Sequence, residues 1–446
     1  MSHGEGRPEP GFRLSNTGRA QGGDGADVNS GLQIKDSRNV NINSPIYNSF
    51  FDPQYAPLAS RIISYGELIA ERTNGFVGRR FATDAVDAFL RDRRSGYLVI
   101  EGEPGIGKTT LLAQLVKTRA YPHHFVVATQ GVTRAEQFLA NMCAQLIATY
   151  RLDQQNWLPP EATRDGAYLS ELLRLAAQSR STDTPGGQNI VLVVDALDEA
   201  EAAADVRANV LYLPEHLPEG VFFIVSSRPR DRTDLRLQAD SLGYFTLDSR
   251  SDANLADISL YVEAFAARPA LRARLTDLGL TVPAFVAALV DKAEGNFMYL
   301  HHVLPAIEEG RLGGGGLDEL PAGLRAYYDA HWRQMKAEGG EEWFTFRQPV
   351  IVYLAAAKKP VSARQLATMS RIPFPRVADT LRLWREFIQI ETVAGMPRYR
   401  IYHTSFQDFL RSKEEVQEEV REMDLKQAHS RIADHLMARH LPDGRR

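Results

Sequence analysis

From residue 97 onward, short and almost unbroken apolar runs alternate with stretches in which apolar residues recur every three to four positions. The runs are "YLVIEG" (97–102), "HFVVAT" (124–129), "IVLVVDAL" (190–197), "VFFIVSS" (221–227) and "YFTLD" (244–248). Runs of that length predict strands buried on both faces. The stretches "RAEQFLANMCAQLIATY", "YLSELLRLAAQS", "LADISLYVEAFAA" and "PAFVAALVDKA" carry the helical period instead. Strands alternating with helices predict an α/β fold, a parallel sheet with helices on both faces. From about 250 to 310 no strand is apparent, so a helical subdomain is expected after the sheet. The glycines of "GRLGGGGLDELP" mark a loop or linker. Beyond it, "QPVIVYLAAA", "SARQLATM" and "RVADTLRLWREF" read as three short helices, and "FIQIETVAGMPRYRIYH" as a hairpin turning at Ala394 and Gly395. Three helices and a two-stranded wing are a winged-helix order.

The first 57 residues are rich in Gly, Asn, Asp, Ser and Pro, too polar to offset the entropy of folding, and predict a mostly disordered leader. Within it Leu32 and Ile34, then Val40 and Ile42, alternate with polar residues as in two very short strands. The stretch 56–73 has helical periodicity and leads into "FVGRR".

Composition narrows the picture little: 44% apolar and 24% charged residues are those of an ordinary soluble protein. A formal charge of -4 gives no global attraction for nucleic acid or anionic membrane. The one cysteine, Cys143, lies in an apolar helical pattern, which excludes an internal disulfide and predicts a buried thiol in a reducing compartment. No apolar run approaches a membrane span and the N-terminus lacks a secretory core, so a cytoplasmic location is expected.

The chemistry concentrates in "GEPGIGKTT" (102–110), which fits the phosphate-loop pattern G-x-x-x-x-G-K-[ST]. Its strand and helix context is the one this motif requires. Gly102, Pro104, Gly105, Ile106, Gly107 and Thr110 would shape a loop whose N–H groups curl around phosphate. Lys108 would reach the terminal phosphates and Thr109 would offer a hydroxyl to magnesium. Asp195 ends the strand "VLVVD" and is the second expected magnesium residue, from what is read as a neighbouring strand. Asp198 and Glu199 follow within one turn and could position or deprotonate a water; acids favoured at a helix start are the plainer reading. Arg228, at the end of "VFFIVSSR", could meet a γ-phosphate beside the first strand, or be an ordinary loop arginine. ATP or ADP with Mg2+ is the expected ligand. The boundaries this implies are 1–57 leader, 58–248 nucleotide-binding domain, 249–316 helical subdomain and 317–446 winged-helix domain with a C-terminal helix.

With these pieces in order, the chain resembles the NACHT group of STAND-type signalling ATPases, relatives of intracellular immune receptors and of bacterial antiphage proteins. The resemblance rests on "FVGR" (76–79), "GEPGIGKTT", "DALDEA", "SSRP", "GNFMYL" (295–300) and "YHTSFQDFL", and spans about 60–440. It implies that Val77 and Gly78 lie near the adenine, with Phe297 packed close by, where plant-type relatives often carry proline; a core role for Phe297 is the alternative. It implies that Arg228 is a sensor and that His403 touches the β-phosphate of ADP. It also implies a switch that opens and forms a homo-oligomer on nucleotide exchange, hydrolysing slowly, in antiphage defence or programmed cell death. The leader loosely resembles amyloid-type signalling tags, so residues 30–48 could contact protein effectors or sensors; a disordered tail with no role is the alternative. The chain stops at "LPDGRR", where relatives usually continue into sensor repeats; either a shortened chain or a short member working through partners is expected.

His403 is the residue that local rules leave over. Thr404 and Gln407 read as a capping box, with Phe406, Phe409 and Leu410 as the buried stripe of a helix. The "HH" at His301 and His302 lacks a matching metal-ligand spacing, so a core histidine or a phosphate sensor remains. Two further functions stand beside the switch: a P-loop ATPase with steady turnover, and a winged-helix DNA-binding regulator reading through Arg376, Arg382 and Arg385, against which the acidic balance argues.

Overall fold

The computed structural model describes residues 56–152, 157–179, 189–203, 205, 208–229, 235, 242–311, 316–357, 359–393 and 396–412. The expected leader strands, the 30–48 segment, the Ala394–Gly395 turn and the C-terminal helix lie outside the described residues.

The five apolar runs form one parallel sheet: β1 (Gly96–Gly102), β2 (His123–Phe125), β3 (Ile190–Asp195), β4 (Val221–Ser227) and β5 (Leu242–Leu247), ordered β2-β3-β4-β1-β5. The 124–129 run is a strand only to Phe125; beyond it, Val127 bridges to Val132 around a short turn. Strand periodicity sends alternate residues to opposite faces, and β1, β3 and β4, buried along their whole length, are therefore apolar on both. Tyr97, Val99, Leu192, Val194, Phe223 and Val225 join one core. Their neighbours Leu98, Ile100, Val191, Val193, Phe222 and Ile224 join the other.

The 56–73 stretch resolves into two helices, α1 (Ala56–Ala59) and α2 (Gly66–Thr73), followed by α3 (Arg80–Asp92) and α4 (Lys108–Arg119). Helices α2, α3 and α4 cover one face of the sheet. The other face is covered by α5 (Ala135–Tyr150) and α6 (Ala167–Gln178), and buries Cys143.

Four helices follow: α7 (Asp252–Ala266), α8 (Pro269–Asp277), α9 (Val282–Ala293) and α10 (Phe297–Glu308). After α11 (Gly323–Gly339) come α12 (Gln348–Ala356), α13 (Ala363–Ser370) and α14 (Phe374–Leu383). The antiparallel hairpin β6 (Ile388–Val393) and β7 (Met396–Ile401) precedes α15 (Thr404–Ser412). Three helices and a hairpin thus stand in the expected order. We refer to 348–412 as the C-terminal unit. Its core is continuous with that of α7–α11, through residues such as Tyr299, Tyr328, Trp332, Trp384 and Phe406, and remains separate from the two cores of the sheet. No single helix among the described residues is long and apolar enough to cross a membrane.

Candidate functional site

A cavity opens at the C-terminal ends of β1, β3 and β4, lined by the phosphate loop, by the "FVGR" segment, by α10 and by the start of α15. It brings together Val77, Pro104, Gly105, Gly107, Lys108, Thr109, Thr110, Asp195, Asp198, Glu199, Arg228, Phe297 and His403. Gly78, Gly102 and Ile106 do not line it. Gly78 lies against Asp257, whose Oδ1 would be 2.2 Å from an added Cβ. Gly102 ends β1 against Ile106, and Ile106 is a core residue. These three shape the loops from behind.

Strand β3 is separated from β1 by β4, which corrects the expectation that Asp195 comes from the neighbouring strand. Ser226 closes the gap: its Oγ donates to Asp195 Oδ1 at 2.5 Å and accepts from Ala196 N–H at 2.8 Å. Burial raises the Asp195 pKa, while hydrogen bonds from Ser226 and Thr109 and the Lys108 charge oppose that rise. A Thr hydroxyl beside a buried carboxylate is an all-oxygen donor pair that suits a hard cation retaining most of its waters. Residues Thr109 and Asp195 therefore fit magnesium by donor chemistry. Lys108 folds back and donates to the carbonyls of Gly102 and Glu103.

Asp198 and Arg228 face each other, with Arg228 Nε 2.9 Å from Asp198 Oδ2. The same guanidinium extends Nη1 to Asp408 Oδ2 of α15 at 2.6 Å. Glu199 accepts from Ala128 N–H at 3.2 Å, and burial pushes its pKa up to about 7. Such a carboxyl can take up a proton near neutrality.

The reading of His403 needs correction. Its Nδ1 accepts from the Ser405 backbone N–H at 3.1 Å, so the imidazole caps α15. The expected capping box is not formed: Gln407 donates to the Ala355 carbonyl. His403 thus has a structural role that its sequence context hid. The Ser405 hydroxyl lies 2.7 Å from the same Nδ1, and Tyr328 Oη is 2.9 Å from that hydroxyl. An Nδ1 that accepts from a backbone N–H carries no proton, so the neutral ring is protonated at Nε2. Burial, helped by the Arg72, His302, Lys108 and Arg228 charges, depresses the His403 pKa well below that of free histidine. A neutral donor, its proton on Nε2, is therefore available to whatever fills the cavity.

Tyr402 and His301 are among the lining residues to which the sequence reading assigned no site role. Tyr402 stacks on His301 with ring centroids 5.0 Å apart and an interplanar angle of 2°, and its hydroxyl accepts from Arg72 at 2.9 Å. His302, the other half of "HH", is buried and stacks on Tyr327. Phe297 packs on Tyr261 and beneath the Arg79 guanidinium, 4.6 Å from its ring centroid. The Gly-Asn pair before "FMYL" is a helix-start signal that could have flagged Asn296.

Residues 75–224 match the family model of the AAA ATPase domain. The matched stretch contains the phosphate loop and the strand ending at Asp195, so the chain carries a P-loop ATPase domain there. No curated protein matches the chain. Among solved structures it is similar to a signal transduction ATPase with numerous domains (STAND) carrying a tetratricopeptide repeat sensor, from Pyrococcus horikoshii. Identity is 15% and the TM-score 0.41, over 82% of this chain and 46% of that one. The chain thus spans just under half the length of that protein. It is also similar to the RuvB Holliday junction branch migration motor of Thermotoga maritima, at 13% identity and TM-score 0.26, over 75% of this chain and 95% of that one. Both likenesses are too slight to carry a function across.

Proposed function

We propose that the chain is an ATP/ADP switch of the NACHT/STAND type, closed around ADP and opened by exchange for ATP. The observation that carries this reading is that α15 sends His403 into the cavity that the phosphate loop builds, and Asp408 onto the cavity arginine Arg228. A second unit that reaches the phosphate site lets the state of the nucleotide be read outside the ATPase domain. In the closed state His403 donates from Nε2 to the terminal phosphate of ADP, Lys108 neutralises charge beside it, and Asp408 holds Arg228. A γ-phosphate competes with Asp408 for that guanidinium and releases α15.

A charge-assisted hydrogen bond contributes about 1.5–3 kcal/mol, whereas moving a switch from 1:99 to 99:1 requires about 5.5 kcal/mol. His403 alone cannot hold the closed state. Packing of apolar residues against the sheet does not supply the remainder, because the C-terminal unit shares its core with α7–α11. The junction with the sheet is instead polar: Arg72–Tyr402, Glu71–Gln389, Gln130–Glu391 and Arg228–Asp408. Several modest polar contacts suit a junction that has to open.

Thr109 and Asp195 would hold magnesium, which when bound would supply positive charge against the phosphates. Glu199 would accept a proton from the attacking water as the terminal P–O bond breaks, leaving ADP and phosphate. Slow hydrolysis then resets the switch. We assign the opened form to a homo-oligomer that signals through protein partners, in antiphage defence or programmed cell death. Against the DNA-regulator reading stands the formal charge of -4; Arg376, Arg382 and Arg385 remain exposed beside Glu342, Asp379 and Glu309. Sizing the purified chain with ADP, ATP and a non-hydrolysable analogue tests the switch, with Lys108→Ala as control. Larger species only with triphosphate support it; the same size in every state would sink it.

A further inference from the structure

Three consecutive carbonyls of the phosphate loop are each met by a donor from elsewhere in the chain. Asn296 Nδ2 donates to Pro104 O at 2.9 Å. Met298 N–H donates to Gly105 O at 3.1 Å. Arg79 Nη2 donates to Ile106 O. A peptide unit carries its C=O and N–H on opposite sides, so fixing these carbonyls also fixes the direction of the N–H groups that follow them, the groups a phosphate loop offers to phosphate.

The donors form one assembly. Asn296 Oδ1 accepts from Met298 N–H at 3.0 Å and from Tyr299 N–H at 3.3 Å, capping α10 while its amide holds the loop. Arg79 is buried, has a left-handed φ of 63°, and is anchored through its N–H to Asp257 Oδ2 at 2.8 Å and through Nη1 to Asn254 Oδ1 at 2.9 Å. Asn254 Nδ2 in turn donates to the carbonyls of Ser249 and Gly295, next to Asn296. The fit at the loop is close: Gly105, at φ 85°, would place a Cβ 2.5 Å from Asn296 Oδ1.

We infer that Asn296 and Arg79 are positioning residues: they set the phosphate loop in its binding form from the helical side, and so link nucleotide occupancy to the placement of α7 and α10. The inference rests on the nucleotide reading above. Because Asn296 has two separable jobs, substitutions can divide them. Aspartate or serine at a helix start keeps an acceptor for the cap, yet neither supplies the amide donor to Pro104 O.

The experiment measures ADP affinity by calorimetry on the full chain with magnesium, alongside the thermal midpoint without nucleotide, for wild type, Asn296→Asp, Asn296→Ser and Arg79→Lys. Expected for both Asn296 variants is a nucleotide-free midpoint close to wild type with ADP affinity about tenfold weaker, the factor for one lost hydrogen bond. Arg79→Lys retains a charge but not the fork that reaches both Asn254 and Ile106, and should likewise weaken ADP. Wild-type affinity in a folded Asn296→Asp or Asn296→Ser would overturn the positioning role. A wild-type chain that binds no ADP would instead remove the nucleotide reading itself, so the two failures are distinct. If Asn296→Asp fails to fold, Asn296→Ser carries the comparison.

Discussion

Arg228 is shared between two carboxylates, its Nε 2.9 Å from Asp198 at the sheet end and its Nη1 2.6 Å from Asp408 in α15. The guanidinium fork matches two acceptors at once, as lysine could not. Its side chain retains 22% of its exposure and that of Asp408 retains 39%, so water screens the pair and its contribution is about 0.5–1 kcal/mol. Removing it should therefore loosen the closed form only a few-fold. Asp408→Asn is expected to speed ADP release about two- to fivefold, followed by stopped-flow with a fluorescent ADP. A double-mutant cycle with Arg228→Gln should return a coupling of similar size. Strict additivity of the two substitutions would show that the contact does not restrain the switch.

His403 combines a cap with a donor, and the two can be pulled apart. Asparagine is among the best capping residues but is shorter than imidazole, so His403→Asn should preserve the thermal midpoint. It should weaken ADP binding about tenfold while leaving ATP affinity nearly unchanged, since the proposed contact belongs to the diphosphate form. His403→Ala should lose about 1 kcal/mol of stability in addition, through the missing cap. Equal ADP affinity in wild type and His403→Asn would reduce the histidine to a structural role.

The junction between the C-terminal unit and the sheet should respond to salt. Its polar contacts include the Arg228–Asp408 pair, and exposed ion pairs weaken as the Debye length shrinks from about 10 Å at 0.1 M to about 3 Å at 1 M salt. Limited proteolysis with ADP present is expected to cut between the sheet and the C-terminal unit faster in high salt. Asp408→Asn should blunt the difference. Salt-independent cleavage in wild type would mean that ion pairing contributes little to closure.

The sheet was legible because both faces of its central strands are covered, which makes them continuous apolar runs such as Val191–Val194 or Val221–Val225. The phosphate loop was legible because its glycines and lysine sit within nine consecutive positions. The contacts that hold that loop were not, for a physical reason. Asn296 and Pro104 are 192 residues apart, and Arg228 and Asp408 are 180 apart, so nothing local encodes either contact. His403 misled in the opposite way: threonine followed by glutamine suggests a capping box, and only the backbone shows the imidazole accepting from Ser405 instead. The strand order was hidden too, since the chain runs from β1 through β2 and β3 before β4 enters between β3 and β1.

Glu199 makes the chain's stability depend on pH in a direction that can be separated from its histidines. Its folded pKa, raised by burial to about 7 from an ordinary 4.5, means that the folded state binds this proton more tightly. Its contribution is fully present below about pH 4.5 and is lost as pH rises through about 7. The buried His123, His124 and His302 are shifted the other way by burial, to about 4, 3 and 3, so their contribution is lost as pH falls below about 6.5. At about pH 6.5 these histidines are neutral in the folded state but about half protonated once unfolded, so rising pH adds stability through them in wild type and variant alike, and the Glu199 contribution is read as the difference between the two proteins. Between about pH 6.5 and 8 nucleotide-free wild type should therefore lose about 1 kcal/mol of stability relative to Glu199→Gln. Thermal midpoints of the two proteins at pH 6.5 and 8 test this. A wild-type midpoint that falls no further than that of Glu199→Gln would place the carboxyl in an ordinary solvated setting, and would remove the basis for its role as the base that takes a proton from water.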